Sequence, residues 1–260
     1  MSQFDNNCYM KINGYDLWDR FGLKSYQIKS DSDRLFGISR SIETEDSLKN
    51  NEFLLNIKNN RPTLDIELSK VDDAENAIAI SDKDMDEIAR IIFGKKVSVV
   101  EHFNYLYYGT FVDGTNWRNY YKQGYLCLKF ELLSPYAYTP IYVDKKVCKD
   151  SYKFEIMNNS NVDDYCYLDV DIKQLGTTPI KITNLSTGEN IKINNIELNE
   201  EIRVLSDYKE IYSLTNVNKN MFTNIEYDKN FLRLKYGNNR MKIEGNCICT
   251  FTYQIRMFIK

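Results

Sequence analysis

The side chain with the widest chemical range in this sequence is its single histidine, His102, within Val99-Val100-Glu101-His102-Phe103. A general base needs a partner that orients its ring, and Glu101 is the neighbour in sequence. Successive residues of a strand point to opposite faces, so Glu101 is not expected to hold the imidazole. Asp169 and Asp171 share one face of an alternating run and mimic a paired-acid site, but the alternation fits a solvated sheet face better. Asp82-Lys83-Asp84-Met85-Asp86 opens like a calcium loop and then fails: Glu87 stands where the sharp turn needs glycine, and Phe93 where a bidentate glutamate belongs. Six cysteines, Cys8, Cys127, Cys148, Cys166, Cys247 and Cys249, include no C-x-x-C pair, so neither a zinc site nor a thioredoxin-type centre is expected. There is no nucleophile elbow, no phosphate-binding glycine loop and no His-Glu-x-x-His. The sequence is therefore expected to have no catalytic, cofactor-binding or metal-ligating residues, and not to be an enzyme.

The competing chemistry is sugar binding, as a carbohydrate-binding β-sandwich module used in host-cell recognition. Twenty tyrosines favour it. Glycan sites stack sugars on aromatic platforms, but Trp18 and Trp117 both lie in the first half. Tyr152, Tyr165, Tyr167, Tyr208 and Tyr212 would have to substitute, and their places in strand-like runs suit sheet packing better.

The elements that would position these groups are mostly strands. Short segments rich in Val, Ile, Tyr and Phe mark them at 64–68, 105–112, 125–132, 165–172, 179–183, 191–198, 231–235 and 247–259. A loop holding Gly114, Asn116 and Gly124 is expected between the second and third. In the last run Cys249, Phe251, Tyr253 and Ile255 fall on one face, and Cys247 and Cys249 share a face. One helix is expected at 82–93, with Ser81 as N-cap, Asp84 bonding back towards the cap, and Met85, Ile88 and Ile92 forming an apolar stripe beside Ala89. Gly94 suits a left-handed C-terminal cap, followed by Lys95 and Lys96 at the negative end of the helix dipole. The stretch 72–79 reads as an extra turn or a loop. Residues 24–40, with Ser30-Asp31-Ser32-Asp33-Arg34, read as a polar loop or an arm reaching a neighbour.

Leu133-Ser134-Pro135-Tyr136-Ala137-Tyr138-Thr139-Pro140 is the best boundary, because each proline interrupts sheet pairing. The fold class expected is mainly β: an α+β domain over 1–140, then an all-β sandwich over 141–260, with turns at Ser186-Thr187-Gly188 and Gly237-Asn238-Asn239. With 260 residues, 43% hydrophobic and 27% charged, the chain is long enough for two globular domains. A net charge of −3 argues against nucleic-acid binding, since phosphate tracks need excess cations, and Arg34 and Arg40 lie among acids. Met1 to Lys11 lacks a signal-peptide core and no stretch is apolar enough to span a bilayer, so free thiols and no membrane contact are expected.

The motifs resemble a known family in their order along the chain. Tyr9-Met10-Lys11-Ile12-Asn13-Gly14-Tyr15-Asp16-Leu17 followed by Phe21-Gly22-Leu23 resembles the start of bacteriophage distal tail proteins. The segment 130–138 is similar to that family's domain junction. Ile182-Thr183-Asn184-Leu185-Ser186-Thr187-Gly188-Glu189, Phe231-Leu232-Arg233-Leu234, and Gly237-Asn238-Asn239 with Ile243 and Gly245 resemble its C-terminal half. The resemblance implies a homo-hexameric ring in the virion, at the tail tip or baseplate, made in the bacterial cytoplasm. The first domain would be a ring-closing belt and the second a galectin-like sandwich. Partners implied are the tail tube protein, the tail-tip hub or tail-associated lysin protein, and a receptor-binding protein. No cofactor is implied.

Overall fold

The structure, a computed structural model, describes residues 10–30, 39–46, 52–72, 76–119, 122–228 and 231–259. It divides into two compact units, residues 1–138 with 258–260, and 139–257. The division lies close to the proline-flanked junction, but the last residues of the chain return to the first unit. Ile259 is buried in that unit's core beside Met10, Leu64 and Phe130.

The first unit begins with β1 (Met10–Ile12) and β2 (Tyr15–Asp16). They are joined by Asn13-Gly14, both at positive φ, as a two-residue type I′ hairpin requires. Helix α1 (Leu17–Phe21) follows, capped by the Asp16 carboxylate, which accepts from the amides of Trp18 and Asp19. It ends on left-handed Gly22, so the Phe-Gly of the opening motif is a buried anchor and a helix stop. Next come β3 (Leu23–Ser30), β4 (Arg40–Asp46), β5 (Glu52–Asn59), β6 (Thr63–Lys70), α2 (Asp82–Phe93), β7 (Ser98–His102), β8 (Tyr105–Asn119), β9 (Lys122–Leu132) and β10 (Tyr136–Tyr138).

The main sheet runs β2-β1-β7-β8-β9-β6-β3. Laid flat, its two end strands would stand about 29 Å apart at the usual strand spacing. Yet the chain passes from β2 to β3 through a five-residue helix that spans only about 7.5 Å. The sheet must therefore curl until its ends approach. Helix α1 packs on both β1 and β3, and Gly22 O accepts from the Val71 amide at 3.2 Å. The rolled sheet encloses one core, into which α2 inserts Ile88, Ile91 and Ile92, with Met85 packed at its margin. Helix α2 has the bounds its periodicity gives, and Ser81 Oγ accepts from the Asp84 amide at 3.1 Å.

Several local expectations are corrected. Gly94 is right-handed, φ −72°, not left-handed. The Asp84 carboxylate takes Lys70 Nζ at 2.7 Å, because β6 presents a cation beside the first turn of α2. The described residues of the expected loop are strand: Gly114 and Asn116 lie on β8 and Gly124 on β9, and two bulges absorb the irregular residues. Gly124, at φ +81°, passes so close to Ile78 O that a Cβ would sit 1.8 Å from it. Residues 24–30 are strand β3, not loop, while Asp31 to Arg34 lie outside the described residues. No helical turn forms among the described part of 72–79; Ala77 bridges to Val71.

The second unit is a two-sheet sandwich. One sheet runs β11 (Tyr142–Cys148), β22 (Cys247–Tyr253), β14 (Asp169–Gln174), β17 (Glu201–Leu205), β18 (Glu210–Ser213). The other runs β12 (Ser151–Asn158), β21 (Gly237–Glu244), β15 (Ile180–Asn184), β16 (Asn190–Ile193), β19 (Ile225–Asp228). The pair β13 (Cys166–Tyr167) and β20 (Arg233–Leu234) completes the set, while β23 (Arg256–Phe258) pairs with β10 in the main sheet. Between the sheets alternate residues such as Val170, Ile172, Ile182, Ile191, Ile243 and Phe251 are fully buried. The strand expected at 191–198 stops at Ile193, since Asn195 and Asn199 adopt positive φ. The run 231–235 pairs only at Arg233–Leu234, and the closing run breaks after Tyr253. The architecture is mainly β. Among the described residues no helix is long and apolar enough to cross a membrane.

Candidate functional site

His102 ends β7 opposite Tyr105 and Met10, its ring edge-on to Phe103 at 4.2 Å. Burial pushes its pKa down, so it stands neutral at pH 7. Glu101 falls on the other face of the strand, in register with Lys11 and Leu106. The two acids of β14 part ways as well. Asp171 receives Arg203 through two bonds of 2.5 and 2.6 Å, while Asp169 accepts the Ser206 amide at 2.8 Å and burial raises its pKa. Neither pair is poised for acid–base work. Among the described residues no group of three His, Cys, Asp or Glu is arranged to hold a metal ion.

The tyrosines proposed as a glycan platform are dispersed. Tyr152 lies on edge strand β12 of one sheet, and Tyr212 on edge strand β18 of the other. Tyr167 is on β13, and Tyr208 sits in the turn between β17 and β18. Tyr165 is covered by the Arg233 guanidinium at 3.9 Å.

Arg233 belongs instead to a polar clasp that sequence reading named only in pieces. Its guanidinium pairs with the buried Glu189 carboxylate, and its carbonyl accepts Asn184 Nδ2 at 2.7 Å. Asn184 Nδ2 also reaches Asn239 Oδ1 at 3.1 Å, and Asn239 bonds both the amide and the carbonyl of Lys235. The two motif segments around residues 184–189 and 233–239 therefore meet side by side. Every polar atom named here is satisfied internally, so the clasp fixes turns and offers no ligand a free partner.

The surface that asks for a partner is in the first unit. Strands β4 and β5 leave the rolled sheet as a sheet of their own. Their register sets Ile42 opposite Ile57 and Thr44 opposite Leu54 on one face, with Glu43 opposite Asn56 and Glu45 opposite Phe53 on the other. Leu55 is the extra residue of a bulge. Ile42 is 64% exposed, Leu54 58%, Leu55 60% and Ile57 46%. Asn60 N closes the ribbon's base by donating to Ser39 O at 2.9 Å, and Asn59 Nδ2 anchors it to β10 through the Tyr136 hydroxyl at 3.3 Å. A two-stranded ribbon is marginal alone in water, and this one leaves these four large apolar side chains exposed. Its signal in the sequence was weak, because 40–59 mixes acids and amides with Ile and Leu out of strict alternation. Strand β8 offers no such surface, being an inner strand with partners on both sides.

Comparison with known proteins gives these surfaces a context. No curated protein matches the chain. Residues 136–253 match the family model described as "Phage tail C-terminal domain". The crystal structure of SPP1 Dit (gp 19.1), called a paradigm of hub adsorption apparatus in Gram-positive infecting phages, is similar with TM-score 0.66 and 13% identity; the match covers 95% of this chain and 98% of that one. A chain of the phage P2 baseplate in its activated conformation with Ca gives TM-score 0.52 and 14% identity, over 93% of this chain and 92% of that one. Its Sr counterpart gives 0.53 and 14%, over 95% and 97%. Residues 136–253 thus match the phage tail C-terminal domain family model, and the whole chain shares the fold of SPP1 Dit and of the phage P2 baseplate chain.

Proposed function

We propose that this chain is a structural subunit of a phage tail or tail-like particle, not an enzyme. Six copies close head to tail into a ring that joins the tail tube to the tip complex and its adsorption apparatus. The first unit acts as the belt and the second as a galectin-like sandwich that binds no glycan tightly. The observation that carries this reading is the β4–β5 ribbon. A cyclic assembly needs one surface on each subunit that reaches into a different surface on the next, and an anchored ribbon with an uncovered apolar stripe is such a donor. The fold shared with SPP1 Dit and the phage tail family match of residues 136–253 support placing the ring in a virion.

Negative-stain images of the purified full chain test this. Ring-shaped particles with six-fold class averages are expected. Compact monomers in all classes, with and without an added tail tube protein, would overturn it.

A further inference from the structure

Three cysteines converge in the core of the second unit. Cys148 is the last residue of β11 and Cys247 the first of β22, and the ladder sets them directly opposite. Cys249 lies two residues along the same face, its Sγ 3.6 Å from Cys247 Sγ. Each is at most 1% exposed.

Geometry separates the two pairings open to Cys247. Directly opposed residues of antiparallel strands hold their Cβ atoms about 4.5–5.5 Å apart, at the upper edge of what a disulfide spans. Residues two apart on one strand stand about 6.6 Å apart with parallel Cβ bonds, which is beyond that span unless the strand bends. Position favours the cross-strand pair too. It closes the ladder at one end, on an edge strand, beside the turn where Gly245 N donates to Asp150 O at 2.9 Å. Ladder ends and edge strands open locally at far lower cost than the core as a whole, which gives a small oxidant a route to buried sulfur.

We propose that Cys148 and Cys247 form an oxidisable dithiol, a modification site that a peroxide-class oxidant converts to a cross-strand disulfide once the protein leaves a reducing compartment. The Cys247 thiolate attacks one peroxide oxygen; the O–O bond breaks, hydroxide leaves, and the sulfur becomes a sulfenic acid. Cys148 then attacks that sulfur, its proton leaves with the displaced hydroxyl as water, and the S–S bond forms. Two electrons pass from the sulfurs to the peroxide. Cys249 is a positioning residue: its Sγ lies 3.6 Å from Cys247 Sγ, within hydrogen-bonding reach of the attacking sulfur, while burial pushes the Cys148 thiol up. The product ties edge strand β11, the first of the sandwich, to its ladder neighbour β22.

The test uses full-length protein purified under reductant and treated with hydrogen peroxide in native buffer. Free thiols are then alkylated and the peptides mapped by mass spectrometry. A reducible link between the Cys148 and Cys247 peptides is expected, with a melting temperature several degrees above the reduced form. Cys249→Ser is expected to slow formation of the link several-fold at neutral pH without changing which residues it joins. Alkylation of both thiols after treatment, a link from Cys247 to Cys249, or a link that forms only in urea would each overturn the proposal. An unchanged rate in Cys249→Ser would remove the role given to that residue. The wild-type map decides the pairing even if a variant misfolds.

Discussion

At the residue scale, buried polar groups of the second unit hold structure, and Glu200 shows how. It is buried, and burial alone would raise its pKa, but Lys219 Nζ at 2.6 Å, the Glu197 amide at 2.9 Å and Ser213 Oγ at 2.9 Å together hold its carboxyl below the ordinary value of 4.5. A lowered pKa in the folded state adds stability that is complete above the ordinary value and is lost as pH falls through the folded one. Glu200→Gln is therefore expected to cost about 1–3 kcal/mol at pH 7, the range for a hydrogen bond to a charged group. The gap from wild type should narrow steadily below pH 4.5. Urea titrations of the second unit's transition at pH 7 and in acid check this, and a gap independent of pH would refute it. The Asn184–Asn239–Arg233–Glu189 clasp teaches the same lesson. Its members were legible as motif residues, but nothing in their spacing showed that segments some fifty residues apart would meet, because that depends on sheet order.

At the element scale, patterns that depend on local spacing were legible and those that depend on pairing were not. Helix α2 follows from the Ser81 cap and its stripe of isoleucines. The strict alternation of 169–172 gives β14 its buried Val170 and Ile172. By contrast, Gly114, Asn116 and Gly124 carry turn chemistry yet sit in the longest hairpin of the fold, since bulges and a close backbone approach also select glycine. This yields a paired prediction. Gly124 and Gly188 have nearly equal φ, +81° and +80°, but a Cβ at Gly188 meets nothing within 4 Å, whereas at Gly124 it strikes Ile78 O. Gly188→Ala should cost only about 1–2 kcal/mol, the left-handed penalty for an L-residue. Gly124→Ala should cost clearly more, because the β9 backbone must also move. Equal losses in thermal denaturation would show that space at Gly124 is not the constraint.

At the scale of the whole molecule, the chain divides after 138, near two prolines, while nothing in the sequence marked the return of 258–260 to the first unit. A single apolar residue beyond a strand carries no sign of which core it enters. Deleting 258–260 removes buried Ile259 and should lower the first unit's stability by about 2–4 kcal/mol, leaving the second unit's transition unchanged. Loss confined to the second unit would contradict the division. Whether a ring is built through the β4–β5 ribbon is decided by sedimentation equilibrium on the full chain and on an Ile42→Asp, Leu54→Asp double variant. Both positions are exposed, so the variant should fold like the wild type. A ring of six gives a wild-type mass of about 184 kDa, six times the 30.7 kDa chain, and the variant is expected to be a folded monomer. A wild type and variant of the same mass across the concentration range would contradict it.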